Sequence, residues 1–440
     1  MDAPSDLDRS ALAAFLQRQR WFGGKARPIA DAAIVDEGTL AGVASAVRVI
    51  AVRFADGLED RYFVPRLDED AVCRALLDRL ERGAAIPLQR GRIAPRVTDR
   101  RAAEIASARP VRRTAPDQSN TSIVFGDELI MKVFRRIEPG VNPDVEMGRF
   151  LTARGFTRVP ALVADADYVA DEGPGSSVLM LQQFVPNEGN AWQAMIGDDG
   201  RAAAIALAET LGRRTGELHE TLASAPADPA FAPERYTRAD LDALADSMRA
   251  FGVRQLALLR QATASGTHST FRSIPAALAR HVLDRERALL ARFDALRDVA
   301  DAGSRIRCHG DYHLGQTLVA DGDIYILDFE GEPARPLAER RAKSSPLRDV
   351  AGMLRSFSYA AQAGKKDPSW EPAVAAAFLD GYRRASAAAD ILPPGGEAFD
   401  AVLDAFLLDK TLYELGYELN NRPDWVTLPL SALARVRTSV

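Results

Sequence analysis

The sequence predicts an α+β protein in which a β-rich N-terminal part precedes a larger, mostly helical part. Alternating apolar and polar runs, broken by Asp-Gly and Gly-Asp pairs, lie before about residue 185. From about Ala191 onward, long alanine- and leucine-rich stretches carry helical periodicity. A polar cluster between Ser304 and Gly331, flanked by short β-like runs, interrupts the helical part.

Leu7, Ala11, Leu12, Phe15 and Leu16 place a helix within the first 25 or so residues, stopped by Arg20-Trp21-Phe22-Gly23-Gly24-Lys25. Ala46–Phe54 and Arg61–Leu67 flank Asp56-Gly57 as an antiparallel hairpin, and a helix over Asp70–Arg82 follows. Thr121–Phe125 and Leu129–Phe134 flank Gly126-Asp127 as a second hairpin. Asn142 and Pro143 suit the N-cap and first turn of a helix that runs through Glu146 and Phe150 toward Gly155. Strands over Val159–Val163 and Ser177–Val185 come next. The expected helices are then Arg201–Ser224, Arg238–Ala264, Pro275–Val299, Trp370–Ala388 and Phe399–Asn421, with β-like Ile306–Cys308 and Ile324–Phe329 between them.

The composition excludes several classes. With 440 residues, 47% of them hydrophobic, the chain has ample core, so neither disorder nor a disulfide-stapled miniprotein fits. Cys73 and Cys308 stand far apart without zinc-like spacing, and no leader precedes the first helix; a reducing, cytoplasmic location is the expectation. No apolar run approaches the ~18 uncharged residues of a membrane span. A net charge of −5 gives no general attraction to nucleic acid or anionic lipid.

The densest chemistry is Cys308-His309-Gly310-Asp311-Tyr312-His313-Leu314-Gly315-Gln316, followed by Ile324-Tyr325-Ile326-Leu327-Asp328-Phe329-Glu330. A hairpin between the two segments brings their oxygen-bearing side chains together. Magnesium prefers hard oxygen ligands and binds nucleotide phosphates through one or two carboxylates. Gln316 and Asp328 therefore suit a metal, leaving Asp311 as a base. Each piece alone reads as an ordinary turn residue. Together they resemble the catalytic and metal-binding loops of the aminoglycoside-phosphotransferase branch of the protein-kinase-like fold.

That resemblance implies a lysine on a strand, with an acidic helical partner, to hold nucleotide phosphates. Lys132, within Ile130-Met131-Lys132-Val133-Phe134, fits, although an edge-strand lysine facing solvent is the alternative. Glu146 is the expected partner, with Asp144 and Glu138 as competitors. Asp117-Gln118-Ser119-Asn120-Thr121-Ser122 takes the place of a glycine-rich phosphate loop, so Ser119, Asn120 and Thr121 are candidate phosphate donors. Gln183 and Val185, in Met180-Leu181-Gln182-Gln183-Phe184-Val185, resemble the hinge that holds adenine through its backbone. His309 and His313 are expected to brace the Asp311 backbone, and His219, His268 and His281 to be structural or exposed.

Asp328-Phe329-Glu330-Gly331-Glu332-Pro333 and the segment through Ala361, with Gln316 where most relatives carry Asn and with the N-terminal Trp-Phe-Gly-Gly motif, resemble the bacterial maltokinase family. The resemblance implies a bilobal fold with an N-terminal cap subdomain over 1–90, a nucleotide-binding N-lobe part over 91–186 and a helical C-lobe over 187–440. It implies ATP and Mg2+ as cofactors, maltose as acceptor and maltose 1-phosphate as product, in α-glucan synthesis from trehalose. A monomer that associates with trehalose synthase is expected. For the sugar, the candidates are Asp349, Glu414 and Tyr417; Tyr413, Tyr417 and Asn420 or Asn421 recur at the spacing of one helical face. The rival readings are a kinase of an amino sugar or aminoglycoside, and a non-catalytic docking domain. Acids interleaved with Arg348, Arg355, Lys410 and Arg422 favour a neutral acceptor over a polycation.

Overall fold

The computed structural model describes residues 9–43, 46–98, 110–114, 120–171, 173–264, 274–333 and 335–437, with Ser10 described by its backbone alone. The chain forms two compact units: one runs to Pro186 and adds Arg335–Leu337, and the other holds the remainder.

In the first unit, helices α1 (Arg9–Arg18), α2 (Asp70–Arg82) and α3 (Pro143–Ala153) accompany two antiparallel sheets. The strands are β1 (Ile29–Thr39), β2 (Ala46–Phe54), β3 (Glu59–Val64), β4 (Ile86–Pro87), β5 (Gly91–Val97), β6 (Val111–Arg113), β7 (Asn120–Phe125), β8 (Leu129–Phe134), β9 (Arg136–Ile137), β10 (Leu162–Ala170) and β11 (Ser176–Gln183). The four-stranded sheet has order β1-β2-β3-β9, and the seven-stranded sheet β4-β5-β10-β11-β8-β7-β6. Both predicted hairpins form, β2–β3 with Gly57 at φ 83° and β7–β8 with Gly126 at φ 58°, left-handed positions that glycine occupies without a Cβ penalty. β1 escaped the sequence reading. Its run Ile-Ala-Asp-Ala-Ala-Ile-Val-Asp-Glu-Gly-Thr is rich in alanine and acids and poor in strand formers, and its pairing with β2 contains two irregularities.

The apolar face of α2 (Val72, Cys73, Leu76, Leu77, Leu80) joins the larger core, with Ile93, Ile123, Phe125, Met131, Val133 and Leu179. A second core gathers Leu12, Phe15 and Leu16 of α1 with Trp21, Phe22, Phe54 and Tyr62. Trp21 and Phe22 lie 5.8 and 5.1 Å from the Tyr62 ring, and a Cβ on Gly24 would stand 2.6 Å from Phe54. The Trp-Phe-Gly-Gly motif is thus a packing device in which glycine makes room for two aromatic rings. α3 begins as predicted, with the Asn142 side chain accepting from Asp144 N at 2.8 Å and Pro143 in the first turn. Arg149 on α3 binds buried Asp165 of β10 at 2.8 and 2.5 Å.

In the second unit, α4 (Ala191–Ile196), α5 (Arg201–Leu222), α6 (Arg238–Ala264), α7 (Ala276–Asp284) and α8 (Glu286–Ala291) are followed by α9 (Leu337–Arg340), which begins at the unit boundary, and by α10 (Leu347–Ala363), α11 (Trp370–Ala385), α12 (Gly396–Asn421) and α13 (Thr427–Arg435). Two small ribbons pair β12 (Glu234–Arg235) with β13 (Ser304–Arg305), and β14 (Thr317–Ala320) with β15 (Asp323–Ile326). The helix expected over Pro275–Val299 breaks at Arg285 (φ −99°, ψ 6°) and ends in a 3-10 turn over Arg292–Asp298. The strand expected over Ile306–Cys308 reduces to one bridge, Ile306 with Ser344. α5 and α11 meet backbone to backbone: a Cβ on Gly212 would lie 2.0 Å from Phe378 O, and one on Gly381 2.4 Å from Glu209 O.

Candidate active site

In the first unit, Lys132 sits on β8, whose neighbours are β11 and β7, so it is an interior-strand lysine and the edge-strand alternative fails. Its Nζ donates to Asp144 Oδ2 at 2.9 Å, and both side chains are largely buried. A buried ammonium needs such a partner. Asp144, one of the competing acids, is thus a carboxylate on Lys132, two residues before the expected Glu146. Both acids lie in the first turn of α3, and at 100° per residue they point about 200° apart around it. Asp144 is 2% exposed and Glu146 half-buried. Asn120 is buried at the start of β7, and the Thr121 hydroxyl accepts from Arg135 Nε at 3.0 Å. Ser119 and His268 lie outside the described residues. Gln183 ends β11 with an exposed side chain and its amide bonded to Ala161 O at 2.9 Å; half-buried Val185 comes two residues later, just before the unit ends.

In the second unit, the Gly310 peptide before Asp311 is clamped at both ends from the start of α10. Asp349 Oδ1 accepts from Gly310 N at 2.9 Å and Oδ2 from His309 N at 2.7 Å, while Arg348 donates to Gly310 O at 3.1 Å. Gly310 has φ 85°, a conformation costly for any residue with a side chain. His309 Nε2 bonds Leu327 O at 2.8 Å, so that nitrogen carries the proton and Nδ1 is free to accept from Asp311 N at 3.4 Å. His313 Nδ1 accepts from Gly315 N at 3.0 Å and caps the following 3-10 turn. Both histidines brace backbone, as expected. Further along, the Tyr312 hydroxyl meets Thr215 Oγ1 at 2.9 Å, and Leu314 N donates to Ser356 Oγ at 3.1 Å. Burial raises the Asp311 carboxyl, but Lys410, His313 and His309 outweigh it, so the group sits below its ordinary value and is ionised near neutrality.

The β14–β15 hairpin brings Gln316, just before β14, to Asp328, just after β15. Gln316 Nε2 donates to Asp328 Oδ2 at 3.0 Å, and Leu327 N donates to Gln316 O at 2.9 Å. Asp328 holds φ 64°, an uncommon left-handed conformation outside glycine that aims its side chain back at Gln316. The Gln316 side chain also carries an amide oxygen, and together with the Asp328 carboxylate it offers hard oxygen donors, which fit Mg2+ and not a soft metal.

Two of the three acceptor candidates have other duties. Asp349 is 1% exposed, with His219 Nε2 3.2 Å from its Oδ2 in addition to the two amides; burial raises its carboxyl, and His219 and the loop amide overcome that to hold it below the ordinary range. His219 is held through Nδ1 by the Tyr382 hydroxyl at 3.0 Å. Asp349 is thus engaged by the loop that carries Asp311. Glu414 is 7% exposed and accepts from Arg355 Nε and Nη2 at 2.9 and 2.7 Å. It sits in a buried polar layer in which Tyr359 donates to Glu418 at 2.9 Å and stacks on Trp425 with ring centroids 5.9 Å apart. Tyr417, 40% exposed, is stacked 6.3 Å from Tyr413 and has the Arg422 guanidinium 5.3 Å from its ring centroid. Lys410, one helical turn before Glu414, is the residue the sequence reading missed: its Nζ lies 3.3 Å from Asp311 Oδ1. A signal was present, because only six of the 56 cationic side chains are lysines and Lys132 is another of them. Cys308, its thiol raised by burial and surrounded by the carbonyls of Ile306, Ser344 and Ser345 at 3.5 to 3.6 Å, is an inert core residue.

The second unit holds a clamped loop aspartate and an oxygen-bearing pair across a hairpin, and the first a lysine–aspartate pair on an interior strand, residue types that phosphoryl transfer uses. The chain belongs to the phosphotransferase enzyme family, whose model matches residues 110–392, and it is a phosphotransferase with a hydroxyl acceptor. Residues 15–86 match the maltokinase N-terminal cap domain, in keeping with the resemblance read from the sequence. The chain is 29% identical over 342 residues to a glucosamine kinase of Streptacidiphilus jiangxiensis, covering 71% of this chain and 70% of that one. It is 28% identical to a glucosamine kinase of Mycolicibacterium smegmatis over 74% of this chain and 79% of the relative. Among solved structures, a glucosamine kinase in complex with glucosamine, ADP and inorganic phosphate shares the fold at TM-score 0.69 and 24% identity, over 91% of this chain and 93% of that one. No helix among the described residues is long and apolar enough to cross a membrane.

Proposed function

We propose that the protein is a cytoplasmic, ATP-dependent maltokinase that phosphorylates the anomeric hydroxyl of maltose to give maltose 1-phosphate for α-glucan synthesis. The observation that carries the acceptor is the maltokinase-type cap over residues 15–86. The loop geometry and the family match support the phosphotransferase chemistry.

In this reading the sugar oxygen attacks the γ-phosphorus, the bond from that phosphorus to the β–γ bridging oxygen breaks, and ADP leaves. Asp311, ionised and fixed through its own amide, orients the hydroxyl and takes its proton. Lys132, held by Asp144, neutralises phosphate charge. Gln316 and Asp328 are the residues that would hold Mg2+, which when bound screens the charge on the phosphates. Such a transfer asks the protein for positioning and charge, not covalent chemistry.

The curated relatives favour a second reading, glucosamine as the acceptor. An ATP-coupled assay over maltose, glucose, glucosamine and kanamycin separates the two, with Asp311→Asn as control. Maltose is expected to give the highest kcat/KM, and Asp311→Asn to lower kcat about 10²- to 10⁴-fold at unchanged Tm. Preference for an amino acceptor overturns the maltose assignment; turnover untouched in Asp311→Asn overturns the mechanism and favours a docking role.

A further inference from the structure

Lys410 projects from α12 between two carboxylates that are not equivalent. Its Nζ donates to Asp311 Oδ1 at 3.3 Å and to Glu332 Oε1 at 3.4 Å, and stands 4.6 Å from the Tyr413 ring centroid. Glu332 keeps 5% of its side-chain surface and already has a cation, Arg348, at 3.6 Å. Asp311 keeps 23% and opens toward solvent. The Lys410–Asp311 contact is partly buried, and Lys410 is the leading influence that keeps the carboxyl ionised against burial. The contact therefore bears directly on the group read as the base.

Composition points the same way. In a chain whose cations are overwhelmingly arginine, a lysine stands where a compact, single-point donor is needed. Arg348, Glu332, Lys410 and Asp311 form a line of alternating charge that starts where Arg348 also holds Gly310 O. Glu332 fixes the ammonium, and the ammonium fixes one oxygen of the base.

We propose that Lys410 is a positioning residue for phosphoryl transfer, pinning Asp311 through Oδ1 so that the other carboxylate oxygen faces the acceptor hydroxyl, and that its charge makes the site select an uncharged sugar. The inference rests on the reading of Asp311 as the acceptor-side base. A hydroxyl hydrogen-bonded to the second oxygen lies within roughly 8 Å of the ammonium, inside the Debye length of about 8 Å at physiological salt. A protonated amine on a neighbouring sugar carbon meets repulsion there, whereas a hydroxyl meets a donor.

The test compares the wild type with Lys410→Met, Lys410→Arg and Glu332→Gln in ATP-coupled assays on maltose and glucosamine, with Tm measured for each. Lys410→Met is expected to lower kcat on maltose about 10²-fold while KM for ATP and Tm hold, and to raise the glucosamine-to-maltose ratio of kcat/KM about tenfold. Lys410→Arg is expected to recover part of the rate, and Glu332→Gln, which loosens the ammonium, to lose about fivefold. A wild type that prefers maltose, paired with a Lys410→Met that keeps kcat within threefold and the same ratio, overturns this inference alone. Loss of rate that tracks loss of Tm across the three variants, without recovery in Lys410→Arg, overturns it in favour of a structural role. Wild-type preference for glucosamine overturns the selectivity together with the maltose reading.

Discussion

Asp349→Asn and Asp349→Ala test whether this buried aspartate builds the catalytic loop or touches the sugar. The wild-type carboxylate accepts from two loop amides and meets His219, all with the side chain 1% exposed. Alanine leaves two buried N–H donors without their acceptor, at about 1 to 3 kcal/mol each, for a total of about 3 to 5 kcal/mol in line with breaking a buried ionic contact. Asparagine keeps the shape but turns an NH2 toward one amide, so about 2 to 3 kcal/mol is expected. At roughly 2 to 4 °C per kcal/mol for a unit of this size, asparagine lowers the melting transition by about 4 to 12 °C. Because a loop shifted by about 1 Å costs about 10²-fold in rate, kcat falls by that order while KM for the sugar stays within threefold.

The pH dependence carries a sign. The folded Asp349 carboxyl lies below its ordinary value despite burial, which acts to raise it, because His219 and the Gly310 amide hold the ionised form. Its stabilisation is therefore complete above the unfolded value of about 3.9 and fades as pH falls through the folded one. The Tm gap between wild type and Asp349→Asn should narrow below about pH 4. Differential scanning fluorimetry across pH, alongside steady-state kinetics, reads both. A variant with wild-type Tm and kcat but a KM for the sugar raised tenfold would refute the loop-clamp argument and restore Asp349 as an acceptor contact.

Two further outcomes follow from the packing of the second unit. Arg355→Met strands Glu414 in a buried layer, at a cost of about 3 to 5 kcal/mol, whereas the double variant Arg355→Met/Glu414→Leu should recover 1 kcal/mol or more by denaturant titration; no recovery would mean that the pair is not a closed unit. Gly352→Ala places a Cβ 2.5 Å from Tyr312 O, in the loop that carries Asp311, so kcat should drop at least about tenfold with a Tm loss of a few degrees; an unchanged kcat would show that α10 and the loop move apart without consequence.

The elements legible in the sequence were those with local punctuation. α2, α6 and the β7–β8 hairpin match their expected bounds, and α3 starts where Asn142 and Pro143 place it, because caps and glycine turns act within a few residues. β1 was invisible, since its strand character comes from pairing with β2 and not from its own composition. In the site, the Gln316–Asp328 pairing was readable because a short hairpin links two nearby segments. For Lys132 the sequence favoured Glu146 over Asp144 and Glu138, and that Asp144 reaches its Nζ depends on how α3 is turned, which no local pattern records.

What the sequence alone marked out is the set of candidate groups: a loop aspartate, an oxygen-bearing pair across a hairpin and a strand lysine, each with neighbours that dictate local shape. What only the tertiary structure decided is which charges serve those groups. Asp349 and Lys410 lie 38 and 99 residues from Asp311 in the chain, yet one clamps the loop and the other meets the carboxylate. Glu414, which reads as a sugar ligand on its own helix, is instead held by Arg355 from α10. An ionisable side chain takes its role from the partner that burial allows it, and that partner is chosen by helix packing over distances no local pattern records.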